Sequence, residues 1–108
     1  MLPDKNAAEE MTYSPHVHWK SGNAITLLEN GVQLFPALCD AFDRATTSIH
    51  LETYIFRLDM AGQKILDHLT QAAQRGIKVR VVLDGFGSAE QAQDIQEKLQ
   101  AAGALCLI

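Results

Sequence analysis

Aromatic side chains are scarce in this sequence, at 6% of its residues. That scarcity argues against a stacking platform for single-stranded nucleic acid. Cations are in deficit too: nine Lys and Arg stand against thirteen Asp and Glu, for a net charge of −4. A chain with that balance does not gather phosphate backbones by its own field, so no nucleic acid is expected as a partner. Cysteine is limited to Cys39 and Cys106. They lie far apart and share no motif spacing, which reads as two reduced core thiols of a cytoplasmic protein rather than a disulfide framework. No apolar run approaches the ~18 residues of a membrane span. No charged-apolar-small pattern opens the chain as a signal peptide would.

What is present is a single domain's worth of core. The 108 residues are 47% hydrophobic and 20% charged, outside the range of disordered chains. A chain of this size buries roughly two thirds of its unfolded surface. Residues 1–21 are polar and aperiodic, with Pro3 and Pro15, and read as a tail; 22–108 carry the fold.

The fold region alternates between two periodicities. Ala24–Leu28 is a short apolar run closed by Glu29-Asn30-Gly31, which predicts a strand and a turn. Leu34, Leu38, Ala41, Phe42 and Ala45 recur at helical spacing, and Pro36 predicts that the regular helix starts near Phe35. Ser48–Phe56 alternates as a strand, with Ile49, Leu51, Thr53 and Ile55 on one face and His50, Glu52, Tyr54 and Phe56 on the other. Asp59 predicts the N-cap of a helix with Ala61, Ile65, Leu69, Ala72 and Ala73 inward, stopped by Gly76. Ile77–Leu83 is nearly continuous and β-branched, the composition of a strand buried on both faces. After Asp84-Gly85-Phe86-Gly87, a capping box of Ser88 and Gln91 predicts a third helix with Ala92, Ile95, Leu99 and Ala102 inward, ended by Gly103. Ala104–Ile108 opens a fourth strand. Alternating strands and helices of this kind predict an α/β fold with a largely parallel sheet. An apolar run at the chain's end predicts a piece of something longer, with an uncovered edge that drives self-association.

Two carboxylates stand out. Glu52 lies mid-strand in an apolar context, where it needs a buried partner or a place facing a site. Asp84 ends a parallel strand before a glycine-rich loop, where open α/β sheets bind ligands; capping that loop's own amides is the competing role. Lys78 and Arg80 share its face as solvated or paired cations. His16 and His18 lack the companions of a metal pair, and His50 and His68 read as ordinary strand and helix residues.

Leu69–Asp84, Leu-Thr-Gln-Ala-Ala-Gln-Arg-Gly-Ile-Lys-Val-Arg-Val-Val-Leu-Asp, resembles the helix-strand unit of the phospholipase D superfamily. Gly22-Asn23 with Leu27–Gly31, then Leu51–Phe56, then Asp84–Ser88 resemble the first half-domain of bacterial cardiolipin synthases, over roughly Trp19 to Ile108. The resemblance implies phosphatidyl transfer between two phosphatidylglycerol molecules, or between phosphatidylglycerol and another donor, through a phosphohistidine and without a metal or other cofactor. Relatives on the same fold hydrolyse phospholipids or nucleic-acid phosphodiesters, and the sequence leaves transfer and hydrolysis open. It also implies a complete protein peripheral on the inner membrane. Such enzymes carry His-x-Lys-x4-Asp, in which one histidine attacks phosphorus, another serves as general acid and base, and the lysines neutralise the phosphoryl oxygens. His18-Trp19-Lys20 has the triplet, but Ile25 stands where Asp belongs. The motif is missing, so no residue of this chain is expected to be catalytic, and the chain alone is expected to be inert. Glu52, Tyr54 and Asp84 are expected beside the site.

Two other classes fit less of the sequence. Asp84 after a hydrophobic strand is similar to the phosphoacceptor of a receiver domain, but the acidic pair and the distal lysine of that design are missing. A non-enzymatic module pairing through its exposed sheet edge is the third reading.

Overall fold

The computed structural model describes residues 16–108. The first fifteen residues of the expected tail lie outside the described residues. Three helices and three strands alternate: α1 (Asn30–Arg44), β1 (Ser48–Thr53), α2 (Met60–Gln74), β2 (Lys78–Leu83), α3 (Ala92–Ala101) and β3 (Leu105–Leu107). The strands form one parallel sheet in the order β1-β2-β3. This is the α/β layout that the alternation predicts, with a helix in each crossover.

The sheet has one covered face and one open face. Ile49, Val79, Val81, Leu83 and Cys106 point into a core completed by Phe42, Leu66, Leu69, Ile95 and Leu99. On the other face His50, Glu52, Lys78, Arg80, Val82, Leu105 and Leu107 are exposed. The register sets Glu52 beside Val82, and Val82 beside Leu107. A β2 buried on both faces is therefore corrected. Its composition suits two-sided burial, but α2 packs against both α1 and α3, and the buried residues of all three helices join the one core on a single face of the sheet.

The helix ends follow local chemistry. Asp59 caps α2, its Oδ1 accepting the Gly62 amide at 2.8 Å. Gly76 and Gly103 leave α2 and α3 with positive φ, +91° and +97°, a conformation that glycine adopts without strain. At the end of α1, which lacks a glycine, the Arg75 guanidinium donates to the carbonyls of Phe42 and Asp43. Asp43 also accepts from or pairs with His68 Nδ1 at 2.7 Å, tying α1 to α2.

Three expectations are corrected here. Ala24–Leu28 forms no strand, and Ile25 and Leu27 are 90% and 82% exposed. A strand needs a neighbour to take its amides and carbonyls, and none lies alongside this run among the described residues. α1 starts at Asn30, five residues before the expected point, and passes through Pro36. Pro36 is exposed, so the carbonyl it leaves unpaired is on the side that water reaches. The Ser88–Gln91 capping box does not form: α3 begins at Ala92 with no side-chain cap.

Candidate functional site

The carboxyl ends of β1 and β2 meet at one rim. Beyond Thr53 the β1–β2 ladder continues for one bond, from the Asp84 amide to the Thr53 carbonyl at 3.2 Å. The chain then bends at Tyr54, and the alternation inverts: Ile55 is 52% exposed and Phe56 only 5%. The expected strand to Phe56 thus stops at Thr53, with Ile55 and Phe56 exchanging sides.

Ser88 replaces the missing strand partner. Its Oγ accepts the Phe56 amide at 2.9 Å and donates to the Tyr54 carbonyl at 3.2 Å. At 3% exposure it is the one buried polar residue of the described core, and burial requires both of those partners. Gln91 extends the clamp, its Oε1 accepting the Leu58 amide at 2.6 Å. The two residues read as a capping box thus hold backbone 32 and 33 positions away. An approach this close needs small residues. A Cβ on Gly87 would run into the Tyr54 carbonyl, and one on Gly62 would run into the Arg57 carbonyl.

Asp84 folds the second loop. Its Oδ1 accepts the amides of Phe86 and Gly87, both at 2.9 Å, which is the Asx turn that competes with a ligand role. The carboxylate remains exposed. Tyr54, 56% exposed, lies across the rim from it, joined through Gly87 and Ser88. Glu52 stands one pleat back on the open face, exposed. The expectation that Glu52 suffers in an apolar setting is corrected, because water reaches it and no desolvation cost arises. The rim therefore brings Tyr54 and Asp84 together and leaves Glu52 beside them on the sheet.

Two clefts flank the rim. One of about 250 Å³ runs under the end of β1, lined by Phe35, Leu51, Thr53, Ile55, Arg57 and the first turn of α2. The other, about 180 Å³, lies between Arg57 and the Phe86–Gln91 loop. Arg57 lines both. Sequence reasoning passed over it, since nothing in a lone arginine within Phe-Arg-Leu-Asp marks it; its place becomes visible only once the loops are folded.

The remaining candidates are peripheral. His18-Trp19-Lys20 is exposed and precedes α1. Lys78 and Arg80 are exposed. No cluster of His, Cys, Asp or Glu suited to a metal occurs among the described residues. Cys39 and Cys106 are free thiols. Burial pushes both pKa values up, joined at Cys39 by the Asp43 carboxylate and opposed by Lys64. Neither is an activated nucleophile. No described helix is long and apolar enough to cross a membrane.

A parallel α/β sheet whose loops interlock at its carboxyl rim is the class of domain that places chemistry at strand ends. The family model described as cardiolipin synthase, PLD-like domain matches residues 38–106, and the chain belongs to that family. Cardiolipin synthase B of Escherichia coli K12 is 44% identical over 87 residues, covering 81% of this chain and 21% of the relative. The same figures hold for cardiolipin synthase B of Salmonella typhimurium. A cardiolipin synthase of Clostridium perfringens strain 13 is 40% identical over 81 residues, covering 75% of this chain and 17% of the relative. The chain thus spans about a fifth of the length of the curated relatives it matches. No solved structure matches it.

Proposed function

We propose that this chain is part of a phospholipase D-type phosphatidyltransferase that makes cardiolipin from phosphatidylglycerol. The observation that carries the reading is the match to cardiolipin synthases over residues 38–106, which takes in β1, β2 and the rim loops. In this reading a histidine elsewhere in the complete protein attacks the phosphorus of phosphatidylglycerol. Glycerol leaves with a proton from a second histidine, which then takes the proton of a hydroxyl on a second phosphatidylglycerol as that oxygen bonds to phosphorus and the phosphohistidine P–N bond breaks. Residues 1–108 contain no His-x-Lys-x4-Asp and supply none of these groups, so the chain alone is inert. Contact with the membrane is peripheral and made by the complete protein.

Glu52, Tyr54 and Asp84 belong beside the reacting groups. A carboxylate next to a phosphodiester repels it, so Glu52 and Asp84 act by orienting a catalytic histidine or lysine through hydrogen bonds. The test is to quench the complete protein during turnover on phosphatidylglycerol vesicles and map the lipid-phosphate adduct by mass spectrometry. The adduct is expected on a histidine other than His16, His18, His50 and His68. An adduct on one of those four overturns the reading.

A further inference from the structure

Arg57 is gripped more tightly than an exposed loop residue needs to be. The amides on either side of it, of Phe56 and Leu58, are held by Ser88 Oγ and Gln91 Oε1 at 2.9 and 2.6 Å. Its own carbonyl lies so close to Gly62 that no larger residue fits there. The backbone is thus pinned from three sides while the side chain stands exposed between the two rim clefts. Among the described residues its guanidinium makes no ion pair. The nearby carboxylate of Asp59 is engaged in capping α2, and Glu90 lines the second cleft. A pinned backbone under a free guanidinium suits recognition of an oxyanion, and the planar guanidinium fork matches a pair of phosphate oxygens.

We propose that Arg57 binds the phosphodiester of an anionic ligand at the sheet's carboxyl rim, with Ser88 and Gln91 as its positioning residues. The proposal rests on the reading above for its ligand class, a phosphatidylglycerol headgroup, although free inorganic phosphate offers the same oxygens. Ser88 and Gln91 act through the Phe56–Leu58 backbone, whose amides they hold.

The test titrates residues 1–108 with short-chain phosphatidylglycerol below its micelle concentration, and separately with inorganic phosphate. Arg57 side-chain resonances are followed by NMR. The chain is expected to bind the lipid, Arg57→Ala to weaken binding tenfold or more, and its thermal midpoint to stay unchanged. Gln91→Leu, which lacks an acceptor for the Leu58 amide, is expected to weaken binding several-fold and to raise hydrogen exchange at that amide. If Gln91 acts through Arg57, the double variant binds no worse than Arg57→Ala alone. Equal response to inorganic phosphate makes the site one for free phosphate and overturns the lipid assignment. Unchanged binding in Arg57→Ala, or additive losses in the double variant, overturns the proposal. Cardiolipin synthesis by the complete protein is scored separately, so that the reaction and this site fail or stand independently.

Discussion

The Ser88 hydroxyl accepts the Phe56 amide at 2.9 Å across 32 residues of sequence, and so continues a ladder that the strands themselves no longer make. Because the same oxygen donates to the Tyr54 carbonyl, one buried side chain joins the loop after β2 to the segment after β1. Removing it leaves the buried Phe56 amide unsatisfied, at a cost of about 1–3 kcal/mol, whereas the Tyr54 carbonyl is only half-buried. Ser88→Ala is expected to lower stability by about that amount for one group, and to raise hydrogen exchange at the Phe56 amide far more than at Val81. Equal exchange in variant and parent would show that the hydroxyl holds nothing.

Glycine at position 87 is a requirement of contact. Gly87→Ala drives a Cβ into the Tyr54 carbonyl, a backbone atom that cannot move aside, while Gly85→Ala meets only the Ile108 side chain at 3.3 Å. Urea unfolding is expected to find Gly87→Ala destabilised by about 1–3 kcal/mol and Gly85→Ala close to the parent. The reverse order would mean that the two loops are not in contact.

Asp84 separates a fold role from a charge role. Asn in its place keeps an oxygen for the Phe86 and Gly87 amides, so Asp84→Asn is expected to leave the melting midpoint nearly unchanged, whereas Asp84→Ala loses about 1 kcal/mol. In the complete protein the Asn variant, like Glu52→Gln, is expected to cut cardiolipin synthesis tenfold or more, about 1.4 kcal/mol of barrier. Full turnover in an amide variant would assign that carboxylate to the fold alone.

The thiols give a pH dependence. Burial raises the Cys106 pKa above its ordinary value of 9.0, so above pH 9 the unfolded chain releases its proton first. The contribution of Cys106 to stability is therefore constant below pH 9 and falls as pH rises toward the folded value. Cys106→Ala, measured beside the parent between pH 8 and 10, is expected to flatten that fall. An identical slope in both would place its origin elsewhere.

The open face predicts self-association. Val82, Leu105, Leu107 and Ile108 are 42–55% exposed on and beside an edge strand, a surface that pairs with its own kind. Light scattering of residues 1–108 is expected to show mass rising with concentration, and Leu107→Lys to return the monomer. A monomer at high micromolar concentration would contradict this.

How far the sequence was legible depended on whether a signal was local. Asp59, Gly76 and Gly103 mark helix ends by chemistry confined to a few residues, and all three act as expected. The inward residues Ile65, Leu69, Ile95 and Leu99 follow from helical spacing and are buried. Ser88 and Gln91 misled because a local motif and a long-range clamp use the same side-chain oxygens; only the neighbouring loop decides between them. Glu52 misled because alternation shows which face a residue takes, not whether anything covers that face. Asp84's turn was one of two readings its loop allowed, and the turn leaves its carboxylate exposed.

The most direct test incubates phosphatidylglycerol vesicles with the complete protein and, in parallel, with residues 1–108, and measures cardiolipin and glycerol. The complete protein is expected to form both in equal amounts, and residues 1–108 to form neither. Cardiolipin made by residues 1–108 and abolished by His18→Ala would contradict the account, and so would a complete protein that makes none.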